Sequence, residues 1–249
     1  MRTVTRLRAY IMAVVNILST LFFSIVVLFC GLLNQQQLAT YLIGMWAHIL
    51  LGSFGVRVQV EGEENLPQVG GGIIVFNHQS HLDIPAICAA TKKQIRFGAK
   101  VELFKIPFFG IAMKSIGTLQ IARDNRTEVL RIYKEASKRF EQNILFVLAP
   151  EGTRQREAKL GRFKKGPFVF AMNAKVPVIP VVIKGAFEVL PPKRLLVNLG
   201  CWRRTIFIRI LPAVATAAFE PAQLDQLVDA VSMQMTSAFE TLPTSNRTS

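Results

Sequence analysis

The stretch I-I-V-F-N-H-Q-S-H-L-D, Ile73 to Asp83, passes from an unbroken apolar run into a polar cluster within eleven residues. Two of the chain's three histidines, His78 and His81, lie inside it. Ile73 to Phe76 are β-branched and aromatic, which predicts a short strand buried on both faces. Ile84 to Ala90 predicts a helix, with Pro85 tolerated in its first turn. Strand, loop and helix make up the repeating unit of α/β domains, and loops at strand ends are where such domains mount reactive groups.

The flanking sequence repeats this alternation. V-R-V-Q-V-E, Val56 to Glu61, has the two-residue period of a strand, and Gly70-Gly71-Gly72 is a turn. Further strands are predicted at Ile95–Phe97, Thr118–Ile121, Ile144–Leu148, Val178–Ile183 and Thr205–Ile210. Thr127 to Gln142 has helical spacing: Val129, Leu130, Ile132, Tyr133, Ala136 and Phe140 share one broad face, with Glu128, Arg131, Lys134 and Lys138 outside. Pro167–Asn173 and Pro221–Glu240 are also predicted helices, and Pro150–Lys165 reads as a polar, basic loop. The expected fold is an α/β layered domain with a central, mostly parallel or mixed sheet flanked by helices.

The N-terminal quarter differs in composition. Ala9 to Leu33 carries no charge in 25 residues. As a helix it would reach roughly 37 Å, against a bilayer hydrocarbon core of about 30 Å. A second, weaker uncharged run, Leu38 to Val56, follows Asn34-Gln35-Gln36-Gln37. A signal peptide would also begin with basic residues such as Arg2, Arg6 and Arg8, but the first run exceeds the roughly 7–15 apolar residues such peptides use. The expectation is a membrane-embedded helical hairpin over residues 1–56 and an α/β domain over residues 57–249. Both ends of the hairpin belong on the cytoplasmic side, at the inner membrane in a bacterium, with the depth of insertion left open.

Net charge is +14, and residues 57–249 hold 27 basic and 16 acidic groups. A basic domain beside apolar helices suits anionic lipid headgroups or anionic substrates. Nucleic acid is not expected as a partner, because neither an aromatic-studded basic motif nor a zinc-finger spacing is present. Cys30, Cys88 and Cys201 lie far apart, which suggests neither a disulfide framework nor a metal cluster and fits a reducing compartment.

Several clusters carry chemistry. His78 and Asp83 are five residues apart. A helix starting near Asp83 lets its carboxylate meet the imidazole, fixing the tautomer and leaving the other ring nitrogen as a general base. Asp83 reads equally as a helix cap, with Ser80 in a capping-box arrangement. H-x-x-H-x-D offers three potential metal ligands, yet His48, the remaining histidine, lies in an apolar run, so no metal is expected. After the predicted strand Ile144–Leu148 comes A-P-E-G-T-R, Ala149 to Arg154. It opens a loop with six basic residues between 154 and 165 and one acid, Glu157. Arginines in such a loop suit phosphate. Arg123, at the exit of another strand, is a second phosphate candidate. No G-x-S-x-G elbow is present and no nucleophilic Ser or Cys stands out.

These blocks come in a recognisable order: N-H-x4-D, then G-x4-A-R, then P-E-G-T-R, then V-P-V-I-P. The set resembles the 1-acylglycerol-3-phosphate acyltransferases of the glycerolipid acyltransferase superfamily. Lys100-x-Glu102-Leu103-x3-Pro107-x2-Gly110 and Phe163-Lys164-x-Gly166 also look like family blocks. The resemblance covers roughly residues 73–185. It implies His78 and Asp83 as the catalytic pair, Arg123 and Arg154 as phosphate contacts supported by Lys100, and Glu151, Gly152 and Thr153 around the glycerol. Ala122, Ala149 and Gln155 depart from the residues frequent in the family. The implied reaction moves an acyl group from acyl-CoA or acyl-carrier protein to the 2-hydroxyl of lysophosphatidate, giving phosphatidate. The acyl thioester is a co-substrate and no cofactor is implied. Relatives that acylate other lyso-lipids share the first block, and a non-catalytic, membrane-anchored lipid-binding protein is the reading from a different class.

Overall fold

The computed structural model describes residues 3–122, 125–194, 196–201 and 203–243. Among them the strands are β1 (Thr3–Val4), β2 (Val56–Glu61), β3 (Gly72–Phe76), β4 (Ile95–Lys100), β5 (Leu119–Ile121), β6 (Leu145–Leu148), β7 (Val178–Lys184), β8 (Gly200–Cys201) and β9 (Arg204–Ile210). The helices are α1 (Arg6–Leu32), α2 (Gln36–Ser53), α3 (Asp83–Ala90), α4 (Phe109–Ser115), α5 (Arg126–Ser137), α6 (Gly166–Ala174), α7 (Ala186–Val189) and α8 (Leu224–Thr241).

Seven strands form one mixed sheet in the order β2-β9-β7-β3-β6-β4-β5. β3 lies between β7 and β6 and is parallel to both, with Ile73 opposite Val178 on one side and Phe146 on the other. β4 and β5 continue the parallel set, whereas β9 runs antiparallel to β7 and parallel to β2. All of β3–β7 therefore end on one edge.

The apolar runs are unbroken because both faces of the sheet are covered. Ile74, Phe76, Leu145, Val147, Ile179 and Val181 point into a core shared with α2 and α3, which supply Ala47, Leu51, Ala86 and Ile87. Their neighbours Ile73, Val75, Phe146, Leu148, Val178 and Val182 point the other way, onto α5, α6 and α8. There the Tyr133 and Phe170 rings stack at 4.3 Å.

Three expectations differ in detail. The helix foreseen over Thr127–Gln142 ends at Ser137, and Phe140 reaches the core from a separate 3-10 turn, Phe140–Gln142. Leu130, assigned to the apolar face, is 38% exposed. The last helix opens with a 3-10 turn, Pro221–Gln223. The short helix α4, and the 3-10 turn Val101–Lys105 before it, were not foreseen.

The two apolar runs form α1 and α2. These are antiparallel: Asn16 Nδ2 donates to Ser53 Oγ at 2.7 Å, and Trp46 Nε1 to Thr20 Oγ1 at 3.1 Å. Among the described residues, only α1 is long and apolar enough to cross a membrane, its most apolar 18 residues averaging a hydropathy of 2.5. The turn between the helices is held against the sheet domain. Arg96, buried on β4, donates through Nη2 to Gln36 Oε1 at 2.7 Å, and Gly31 packs so closely on Ser115 that a Cβ would lie 2.2 Å from its hydroxyl.

Candidate active site

β3 leaves the sheet at Phe76, and Asn77 fixes how it leaves. Asn77 is fully buried; its Nδ2 donates to Ile183 O at 2.8 Å and its Oδ1 accepts from Ile183 N at 2.7 Å. An asparagine amide carries one donor and one acceptor group on the same plane, so it extends the pairing with β7 by one side chain. The loop then turns around Asp83, the first residue of α3.

Asp83 Oδ2 gathers three donors: His78 Nδ1 at 2.8 Å, Gln79 N at 2.7 Å and Ser80 N at 2.8 Å. An oxygen that accepts three hydrogen bonds is a carboxylate oxygen, and it holds the hydrogen of His78 on Nδ1. The lone pair is then on Nε2, on the far side of the ring. The Asp83 side chain is 1% exposed and that of His78 12%. The Phe76 ring meets the imidazole edge-on at 5.4 Å. The capping-box expectation is met by half: Asp83 accepts from Ser80 N, but the Ser80 hydroxyl donates to Leu190 O at 2.7 Å and accepts from Leu82 N at 3.0 Å.

The loop after β6, the neighbour of β3, is fastened to this one. Gln155 N donates to His78 O at 2.9 Å, Gln79 Nε2 to Lys159 O at 3.0 Å, and His78 N points to Glu151 Oε1 at 3.4 Å. Glu151 is buried, and burial pushes its carboxyl pKa up to about 7; the nearby Asp83 charge adds to this, while bonds from Gln155, His78 and Gly161 oppose it. Gly152 adopts a φ of +71°, and an added Cβ would lie 2.9 Å from Lys164 Nζ. This turn needs glycine for its left-handed backbone, while the flexible Lys164 side chain could move aside. Thr153 is exposed and Arg154 half-buried. The Arg154 charge reaches His81, whose pKa is lowered by burial first, then by Arg154 and His78, against an opposing contribution from Asp83. Neutral His81 beside an arginine is badly placed for a cation, and no group of three or more His, Cys, Asp or Glu side chains suited to a metal occurs among the described residues.

Of the remaining sequence candidates, Lys100 lies along the same edge. Lys100 ends β4 and is half-exposed, its ammonium 3.0 Å from Glu102 Oε1. β5 ends at Ile121, and Arg123 lies outside the described residues. Exposed Arg156, Arg162 and Lys164 follow on the basic loop. Sequence reasoning missed Asn77 and the tethering roles of Gln79 and Gln155. The signal for Asn77 was a polar residue directly after a strand buried on both faces.

A buried His–Asp pair at the carboxyl edge of a parallel sheet, joined to a P-E-G-T-R loop, agrees with what comparison with known proteins returns. The family model described as Acyltransferase matches residues 57–184, which include every site residue above. The chain belongs to this acyltransferase family. Within it, a 1-acyl-sn-glycerol-3-phosphate acyltransferase from Saccharomyces cerevisiae is 31% identical over 211 residues, 83% of this chain and 68% of the relative. A chloroplastic 1-acyl-sn-glycerol-3-phosphate acyltransferase from Arabidopsis thaliana is 30% identical over 63% of this chain, which spans 44% of that relative's length. Among solved structures, the 1-acyl-sn-glycerophosphate acyltransferase PlsC from Thermotoga maritima superposes with a TM-score of 0.74 at 27% identity, covering 92% of this chain and 96% of that one.

Proposed function

We propose that this acyltransferase transfers a fatty acyl group from an acyl thioester, acyl-CoA or acyl-carrier protein, to the 2-hydroxyl of 1-acylglycerol-3-phosphate, forming phosphatidate. The observation that carries the reading is the 2.8 Å His78 Nδ1–Asp83 Oδ2 pair, which leaves Nε2 as the free base. His78 Nε2 takes the hydroxyl proton as the oxygen attacks the thioester carbonyl. The C–S bond then breaks, and the departing thiolate takes the proton back from the imidazolium. Asp83 stabilises the imidazolium and does not itself change protonation state. The acyl group passes directly, without an acyl-enzyme.

Arg154, with Arg123 from the segment that follows β5 in sequence, binds the acceptor phosphate. Lys100 joins them by exchanging Glu102 for that phosphate. Glu151, Gly152 and Thr153 line the glycerol.

The lipid acceptor places the enzyme on a membrane, and the side-chain pattern of α1 supports this. A soluble helix buries its apolar face, yet α1 turns Leu7, Ile11, Leu18, Phe22 and Phe29 outward and keeps Asn16 and Ser24 buried. The hairpin tip is held to the sheet domain through Gln36 and Arg96. Both helices therefore lie along the domain, in the cytoplasmic leaflet, where thioesters are available, and do not project across the bilayer.

Purified protein assayed with acyl-CoA and a panel of acceptors tests the function. Phosphatidate formation from lysophosphatidate is expected, and Arg123→Ala and Arg154→Ala should impair that acceptor far more than monoacylglycerol. A bond to a charged group is worth about 1.5–3 kcal/mol. Preference for another lyso-lipid would redirect the acceptor assignment, and lipid binding without turnover would leave a non-catalytic protein.

A further inference from the structure

The connection between the site edge and α1 has an apolar outer surface with no function assigned so far. It reads V-E-L-F-K-I-P-F-F-G-I, residues 101–111. It starts where β4 ends, at Lys100, and runs through the 3-10 turn Val101–Lys105 into α4. Leu103, Ile106, Phe108 and Ile111 are all exposed, Ile111 at 56% and Phe108 at 48%.

The backbone imposes this exposure. Phe108 sits at φ +60°, ψ −50°, a region that bulky residues avoid and adopt only where the surroundings hold them. The turn beneath is tight: Phe109 N donates to Pro107 O at 2.6 Å and Gly110 N to Ile106 O at 2.8 Å. A Cβ on Gly110 would lie 2.1 Å from Phe104 O. Pro107 and Gly110 thus fold the segment so that Phe108 is held out at its crest.

The surface is continuous with the lipid-facing helix. Ala112 of α4 packs with Val27 and Cys30 of α1 in one apolar cluster, and Gly31 lets Ser115 approach the α1 backbone. Just beyond this contact α1 and the turn after it expose Phe29, Leu32 and Leu33. Exposed Lys105 and Lys114 flank the crest. Apolar side chains flanked by two lysines, with the exposed acid Glu102 paired to Lys100, on a chain of net charge +14, match an anionic bilayer surface: acyl chains beneath, phosphates around.

We propose that residues 101–111 form a wedge that enters the headgroup–acyl boundary of an anionic lipid bilayer, a second membrane contact beside α1. The wedge joins the bilayer-facing helices to the edge that carries His78. It fixes that edge against the membrane, so the lysophosphatidate hydroxyl reaches the base while its acyl chain stays in lipid. The inference rests on the membrane-active reading above, and its test separates the two.

The full-length chain, with its three cysteines replaced, carries one environment-sensitive fluorophore at Phe108→Cys, Leu18→Cys or Met233→Cys. The vesicles contain phosphatidylcholine and phosphatidylglycerol, with a nitroxide on an acyl chain as quencher. Met233 is exposed on α8, on the opposite face of the sheet from α1. The expected result is quenching at positions 108 and 18 and none at 233. Quenching at 18 alone overturns the wedge and keeps the membrane reading; quenching at none of the three overturns both. The variant Phe108→Asp/Ile111→Asp should raise KM for long-chain lysophosphatidate in vesicles by roughly tenfold or more, since two apolar side chains lose their burial. It should leave turnover of a water-soluble short-chain lysophosphatidate unchanged. Equal loss on both acceptors would make the segment part of the catalytic fold and count against the wedge.

Discussion

Glu151 is a carboxyl group buried where an anion is expensive. Its pKa rises from an ordinary 4.5 to about 7, so between those values the folded chain holds a proton that the unfolded chain releases. Stability therefore falls as pH rises from about 4.5 to 7 and is level above. Glu151→Gln removes this dependence while keeping an acceptor for His78 N. Its stabilising effect should be near zero at pH 4.5 and approach about 3 kcal/mol at pH 8. Thermal unfolding of the two proteins at both pH values checks it, and an equal effect at the two would mean that burial does not raise the Glu151 pKa. His81 stands in a different position: burial and Arg154 keep it neutral, so it adds no charge to the site near neutral pH.

At the scale of elements, the site depends on how three strand exits are pinned. Asn77 ties the exit of β3 to Ile183 of β7. Asn77→Ala would strand a buried N–H and a buried carbonyl, costing about 2–4 kcal/mol in all. A urea midpoint unchanged by the substitution would mean that water replaces the amide. The His78–Asp83 pair was legible in the sequence because it is local, five residues across one strand–loop–helix unit. The contact of His78 with Glu151 was not, because it spans 73 residues and exists only through the parallel pairing of β3 with β6. The same limit hid the Asn77 bonds, whose partner is backbone on another strand. Periodicity also tracked burial better than backbone state: Phe140 is buried as its spacing foretold, yet from a turn after the helix has ended. α4 escaped notice because Pro107 and Gly110 interrupt any helical period at its start.

At the scale of the whole molecule, one edge of the sheet gathers a base and cations, and one flank carries outward apolar helices. That combination is what a soluble thioester and a membrane-held alcohol require of a catalyst. On the proposed membrane reading, the hairpin tip held to the sheet domain by Gln36 and Arg96 calls for one-leaflet insertion. A cysteine at Gln37, in a background lacking the native three, should therefore resist an impermeant thiol reagent added outside intact cells; labelling there would show a full span. The central claim is that His78, oriented by Asp83, is the base that moves the acyl group. Its most direct test is the turnover of purified His78→Ala and Asp83→Asn, with His81→Ala alongside, on lysophosphatidate and acyl-CoA at matched thermal stability. The account predicts a loss of about 10²–10⁴-fold for the first two and substantial activity for the third. Near-normal turnover in His78→Ala, or dependence on His81 in its place, would contradict it.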